Sequence, residues 1–490
     1  MGRFEKTVLN SDGIDKRKNG YYSTPRFVAD FISQEMVKLN PHGQKVFDPC
    51  VGKEELLDYF FESKKEIDSI DIEKYCTHNK SHFEQKDFFE LYAKTKEAFF
   101  IKATHLKYDY YIANPPYNCH ESEYISEKKN HLKKLFKDVG IANMYSMFIS
   151  AIIDLAKDQS IIGLITNDSF LTSRIHAPLR RKILNNCIIS HLILCPVDLF
   201  RDQKADVRTC IIILKKQKNE FNYKVNLLNR PQSTTEFKNS LCKRAFSCEN
   251  IQDIVLTSKK DNSEFVIGCP KEILPFFQNN RIGDIFNCVT GISTGNDSKY
   301  LSKEKKNGFS IPFYKNPGKR RFYTSPDAFI PDNFIEIDKN IKNFMVRNKR
   351  LLFKSGITCS SMGIPFTACL LPENSTFGVN ANIICKDEDK YWLLSYLNSS
   401  IVTYFVRGIM LRTNMITSGY VSRIPIIQLS KTTKEKLSSI SREIIDRKLS
   451  KEIIANRIKK IDNIIYEDIT LTKDTINRLK NFCSNIMKLT

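Results

Sequence analysis

From Tyr21 to about Lys216 short apolar runs alternate with longer amphipathic stretches, the pattern of a mostly parallel sheet covered by helices on both faces. The apolar runs predict strands over 45–47, 67–72, 108–113, 161–166, 189–194 and 209–214. Thr24-Pro25 reads as a helix cap followed by proline at the first helical position, with Phe27, Val28, Phe31, Ile32 and Val37 on one buried face. The stretch from Met144 to Lys157 predicts a second helix, lying between two strands.

Between Lys215 and about Lys271 the text becomes polar and irregular, as in a connection between domains. From 272 to 430 short strand-like runs mix with turn residues, and basic residues interleave with aromatics, as in Lys319-Arg320-Arg321-Phe322-Tyr323. After Lys431 the pattern is helical, with Ile444, Ile445, Ile453, Ile454, Ile458, Ile461, Ile464 and Ile465 against charged faces. The expected division is therefore 1–225, a connection over 226–271, a mixed α+β domain over 272–430 and a helical segment over 431–490.

With 490 residues, 41% of them hydrophobic, the chain can bury more than one core. Its net charge of +21 favours a polyanionic partner, nucleic acid first. Fourteen cysteines without a CxxC pair or a Cys/His cluster predict reduced thiols, with neither a disulfide framework nor a metal site. No run has signal-peptide character or the ~20 apolar residues of a membrane span, so a soluble cytoplasmic protein is expected.

The most informative residues are Asn114-Pro115-Pro116-Tyr117, placed where the apolar run 108–113 would leave the carboxyl edge of the sheet. An adenine amine is a poor nucleophile because its lone pair is delocalised into the ring. A catalyst must accept its hydrogens and let the nitrogen become pyramidal. The Asn114 side-chain oxygen and the Pro115 carbonyl can both accept, Pro116 helps to fix them rigidly, and Tyr117 offers a face for an extruded base. A bare Pro-rich turn with an aromatic plug is the plainer reading of the tetrapeptide alone.

With its surroundings, the chain resembles the gamma class of DNA adenine-N6 methyltransferases, an α/β Rossmann-like domain dependent on S-adenosylmethionine followed by a TaqI-type recognition domain. Tyr22-Ser23-Thr24-Pro25 resembles the segment that wraps the methionine end of the cofactor. Asp48-Pro49-Cys50-Val51-Gly52 resembles the first-strand loop, whose carboxylate faces the cofactor's cationic amino-acid portion. Lys53-Glu54-Glu55 departs from that family, standing where a second glycine usual there would take positive φ, which puts the strain on Glu54.

The resemblance implies that Asp71 meets the ribose hydroxyls, that Asp87-Phe88 holds the adenine of the cofactor, and that Phe148 closes the other face of that ring. It implies that Phe200 stacks on the flipped base opposite Tyr117. The segments 289–297, 377–382 and 391–399 resemble the recognition domain, and Arg320, Arg321, Arg347 and Arg350 become candidate DNA contacts.

The expectation is thus a site-specific methyltransferase acting on double-stranded DNA, the modification component of a restriction-modification or related system, with any nuclease on a separate polypeptide. The motif is shared by enzymes that methylate protein glutamine and RNA bases, and a non-catalytic DNA-binding protein with a degraded core is a further alternative. Recognition sequence and oligomeric state are not encoded legibly.

Overall fold

The computed structural model describes residues 22–75, 80–101, 106–117, 122–200, 207–218, 221–362, 365–410 and 415–488. The chain divides into two compact units, Met1–Thr257 with Asn262–Gly268, and Ser258–Asp261 with Cys269–Thr490.

The first unit is built on one nine-stranded sheet. Its strands are β1 (Lys45–Asp48), β2 (Glu66–Asp71), β3 (His82–Gln85), β4 (Tyr110–Ala113), β5 (Ile161–Asn167), β6 (Cys187–Leu194), β7 (Thr209–Lys216), β8 (Lys224–Leu228) and β9 (Ser247–Asn250). They lie in the order β3-β2-β1-β4-β5-β7-β6-β8-β9. The first five are parallel to their neighbours, and β7 runs antiparallel between β5 and β6. All four residues of β4 are buried, as a strand covered on both faces requires.

The six predicted strands all form, most of them displaced by a residue or two at an end. The helix expected from Met144 runs Met144–Leu155 and stops where Ala156 turns extended. The helix after Thr24-Pro25 begins at Arg26, with Pro25 as its cap residue and no side-chain capping bond. Thr24 does not cap it, because its hydroxyl accepts from Asn114 instead. Gly163 lets this helix lie close on β5: a Cβ there would meet Met36 Sδ at 2.2 Å.

The polar stretch read as a connection carries more structure than its composition suggests. Residues 224–250 add β8, the helix Thr234–Lys243 and β9 to the far edge of the sheet. Burial in β8 alternates, as it does for a strand with one solvated face, and that alternation is why the segment looks polar in sequence.

The chain advances outward on one side as β1, β2 and β3, and on the other as β4 and β5. The strand order therefore reverses between β1 and β4, and the carboxyl ends of those two strands bound the crevice where open α/β sheets take ligands.

The second unit holds small sheets and helices. A four-stranded sheet joins Asn287–Val289, Asn382–Ile384, Gly356–Cys359 and Ala368–Leu371 in that order. The last sixty residues form the helices Lys431–Asp446, Lys451–Asp468 and Lys473–Lys488. Ile444, Ile454, Ile461 and Ile465 are buried there, whereas Ile453 is 43% exposed and faces away from that core. No helix among the described residues is long and apolar enough to cross a membrane.

Candidate active site

Asn114 follows β4 directly and is half-buried, so its amide is accessible at the sheet edge. Its Nδ2 donates to the Tyr22 carbonyl (2.7 Å) and to Thr24 Oγ1 (3.0 Å). Its Oδ1 accepts from the Tyr117 hydroxyl (2.7 Å). Burial raises the Tyr117 phenol well above its ordinary value, so it stays protonated and keeps donating.

The three aromatic residues meet beside this amide. Tyr22 stacks on Tyr117 with ring centroids 5.6 Å apart at 19°, and its other neighbour is Phe200, 6.1 Å away at 55°. Phe200 is fully buried. The segment leading to it is tied down by Arg230, which donates to both the Cys195 carbonyl and the Asp168 carboxylate. Tyr22, singled out in the sequence for the cofactor, therefore packs its ring against both residues expected to hold a base.

Across the crevice, β1 ends in Asp48, which is fully buried. Its Oδ1 accepts from Cys50 N (3.0 Å), while Oδ2 has no partner. Burial first, and the neighbouring Asp71 next, push its pKa well above the usual carboxylate value. Cys50 links the two strand ends, since its sulfur takes a hydrogen bond from the Asn114 backbone. Sequence reading did not mark Cys50, which carries no signal beyond its position in the loop.

Gly52 has φ 56° and donates its N–H to Asp71 Oδ2 (2.9 Å). Asp71 Oδ1 accepts from Glu73 N (3.0 Å), so this carboxylate braces two loops while standing at the end of β2. Glu54 takes the expected left-handed backbone, φ 64°. Its side chain turns to Ser81, whose N–H and hydroxyl donate to Oε1 at 2.9 and 2.6 Å, and it is buried there.

Asp87 follows β3. Its Oδ1 accepts from Phe89 N (2.8 Å), and its Oδ2 accepts from Tyr124 (2.6 Å) and Lys128 (2.7 Å). Burial alone would raise this carboxyl, but Lys128 and Tyr124 outweigh it and hold it below its usual value. Neither partner was marked in sequence, being some forty residues away. Phe88 and Phe148 are buried and stack on one another, centroids 4.9 Å apart at 28°. A flat ring in contact with both faces would need them about 7 Å apart, so the pair as it stands holds no ring between its members.

In the second unit the four arginines stand in different settings. Arg320 is held by the Pro317 carbonyl (3.0 Å) and by Asp327 (2.6 Å), bracing its own turn. Arg321 is half-buried beside Asp462. Arg347 and Arg350 are exposed. Gly291 N donates to the Gly378 carbonyl (2.8 Å), joining two of the segments quoted from sequence, and a Cβ on Gly291 would strike Phe377 O. Asn398, in the third segment, brackets Ala368 with a donated and an accepted hydrogen bond.

Comparison with curated proteins finds no match. Among solved structures, a nuclease-deletion mutant of the Type ISP restriction-modification enzyme LlaGI in complex with a DNA substrate mimic is 13% identical at a TM-score of 0.54, over 87% of this chain and 54% of its own. The DrdV–DNA complex is 13% identical at a TM-score of 0.52, over 88% of this chain and 57% of its own. The ATP-dependent Type ISP restriction-modification enzyme LlaBIII bound to DNA is 12% identical at 0.51, over 86% and 39%. This chain thus spans between 39% and 57% of those proteins, and at such identities the likeness is one of fold. The N-6 DNA Methylase family model matches residues 66–269, which include Asn114, Tyr117 and Phe200, and it is this family that this part of the chain resembles.

Proposed function

We propose that this chain transfers a methyl group from S-adenosylmethionine to N6 of an adenine turned out of duplex DNA. The observation that carries the reading is the half-buried Asn114 amide at the end of β4, bonded to Tyr117 and near Phe200, with a buried carboxylate that has an unpartnered oxygen at the end of the adjacent β1.

The residues fit the cofactor. Asp48 Oδ2 is an unpartnered acceptor suited to an ammonium group, and Gly52, Asp71 and Asp87 line the ends of β1, β2 and β3 in the order that an amino acid, a ribose and an adenine would need. Thr24 and Tyr22 would close the methionine end, and Phe88 and Phe148 would have to part from their mutual stack to offer apolar faces to the adenine. When bound, the cofactor supplies a methyl group already activated by its sulfonium, so the protein needs no strong base.

The chain's own work is alignment. Tyr117 must surrender the Asn114 Oδ1 that it now occupies, and that oxygen with the Pro115 carbonyl then accepts the two amine hydrogens. Thr24 and the Tyr22 carbonyl hold Nδ2, so the amide cannot rotate its oxygen away. Tyr117 and Phe200 shield the base from water.

Recognition is assigned to the second unit, over 272–430, with Arg347 and Arg350 as its accessible cations. The fold shared with restriction-modification enzymes solved on DNA supports duplex DNA as the partner and a role as modification component beside a nuclease.

Asn114→Ala tests the reading. Loss of an acceptor used in the transition state should lower turnover about 100- to 1,000-fold while leaving calorimetric binding of S-adenosylhomocysteine within about twofold. Unchanged methylation of DNA would remove Asn114 from the chemistry and the proposal with it.

A further inference from the structure

Away from the Asn114 crevice, the second unit contains a cavity of about 1120 Å³. Its walls are the segment 319–325, the residues around Ser400, and the helices Lys451–Asp468 and Lys473–Lys488. Ile454, Ile458 and Tyr323 give it an apolar floor. Around that floor stand Lys319, Arg321, Lys448, Lys451, Lys459 and Lys480.

None of these six cations makes an ion pair within 4 Å among the described residues. The single acid in the wall, Asp462, is buried and its oxygens are already in use: Ser400 N donates to Oδ1 (2.7 Å) and Ser400 Oγ to Oδ2 (2.6 Å). Three other arginines of this unit have acid partners. Arg281 and Arg423 both donate to Asp261 at 2.9 Å, and the adjacent Arg320 is held by Asp327. Arg321 differs from these: its guanidinium is stripped of much of its water, which lowers its pKa, and although Asp462 stands near it no direct hydrogen bond leaves its side chain among the described residues. A desolvated cation without a partner is costly, and a planar guanidinium with open donors suits a tetrahedral oxyanion.

The two halves of the lining fix the ligand class. Six cations call for a phosphate, and the apolar floor calls for a ring or chain beside it. The volume is that of a small-molecule site. We propose that this cavity binds a phosphate-bearing small molecule of nucleotide size, with the phosphate on Arg321 and the surrounding lysines and the organic portion against Ile454, Ile458 and Tyr323.

Calorimetry on the full chain tests this, with UMP, uridine and inorganic phosphate as probes and S-adenosylhomocysteine present throughout to occupy the crevice of the first unit. UMP should bind, and uridine, lacking the phosphate, should bind at least about tenfold more weakly. Inorganic phosphate binding as tightly as UMP would show that the apolar floor takes no part and would overturn the nucleotide assignment. Arg321→Gln should weaken UMP about 10- to 100-fold. The double variant Lys451→Gln/Lys459→Gln, on an exposed helix face where folding is not at stake, should weaken it in the same direction, and Arg347→Gln should leave it unchanged. UMP binding indifferent to both Arg321→Gln and the lysine pair would place the ligand elsewhere, and no heat from UMP at millimolar concentration would leave the cavity without a ligand of this class. If a short duplex displaced UMP and Arg321→Gln weakened the duplex equally, the cavity would be a DNA contact and the proposal would fall.

Discussion

Replacing Tyr22 by alanine should make a target base easier to extrude, because the Tyr22 ring occupies the space beside the residues that would receive it. The ring stacks on Tyr117 at 5.6 Å and leans on Phe200 at 6.1 Å. Each such aromatic contact is worth about 0.5 to 1.5 kcal/mol beyond the area it buries, so an arriving base must displace about 1 to 3 kcal/mol of existing interaction. Stacking returns about 1 to 3 kcal/mol per base, so the exchange is close to balanced in the native protein. Tyr22→Ala removes the displaced interaction but not the backbone carbonyl that accepts from Asn114 Nδ2, so the Asn114 amide keeps that tether. The extrusion equilibrium constant should rise about 5- to 150-fold, reported by the fluorescence of 2-aminopurine at the target position of a duplex. Tyr22→Phe, which keeps the ring, should behave as the native chain. A weaker signal from Tyr22→Ala would mean that the ring supports the base as a third wall, and an unchanged signal would mean that it lies outside the base's path; either result refutes displacement.

Asp48→Asn should weaken S-adenosylhomocysteine by about 10- to 100-fold in calorimetry, as expected for one hydrogen bond to a charged group. Because the Asp48 pKa is raised, only its deprotonated form attracts an ammonium, so native affinity should climb with pH across the carboxyl's titration while the asparagine variant stays flat; parallel profiles would exclude Asp48 as the partner. Replacing Arg347 and Arg350 together by glutamine should reduce the slope of log affinity for duplex DNA against log salt by about 1.8, and an unaltered slope would remove both from the phosphate interface. His176 is buried against the Tyr145 hydroxyl, 2.8 Å from Nε2, and burial, then Arg180, lowers its pKa to about 4. The unfolded chain takes up the proton that the folded chain refuses, so this contribution is complete above pH ~6.5 and is lost as pH falls toward 4. At pH 5 it should cost about 2 kcal/mol relative to pH 7, read from urea midpoints, and His176→Gln should abolish that part of the dependence.

The legible parts of this molecule are those set by local pattern. β4 and β5 are covered on both faces, so they appear as unbroken apolar runs, and the residue that follows such a run stands at the ligand-binding edge; Asn114 could be found on that ground, whereas Asp48 was marked by the resemblance of its loop. The left-handed turn at Glu54 was legible only through the resemblance, as a position where that family usually has glycine. Where its carboxylate goes was not, because Ser81 is twenty-seven positions further on and only the pairing of β2 with β3 brings it near.

The same distinction separates the identity of the site residues from their present use. Thr24 reads as a cap because a hydroxyl before proline and an apolar face is a local signature, yet its oxygen is spent on Asn114, ninety residues away, and the helix starts without it. Asp87 looks like an exposed loop acid until Tyr124 and Lys128 close on it. Phe88 and Phe148 each look like a wall for a ring, but the structure stacks them on one another, and Tyr22 meets Tyr117 and Phe200 in the same way. A ring entering between either pair must part that contact, so cofactor and base should each bind more tightly to variants in which the self-contact is removed without removing the wall. Phe148→Leu offers that comparison on the cofactor side: it breaks the stack on Phe88 but keeps an apolar surface, so S-adenosylhomocysteine should bind at least as tightly as to the native chain, whereas a loss of about tenfold or more would show that the ring itself is needed against the adenine.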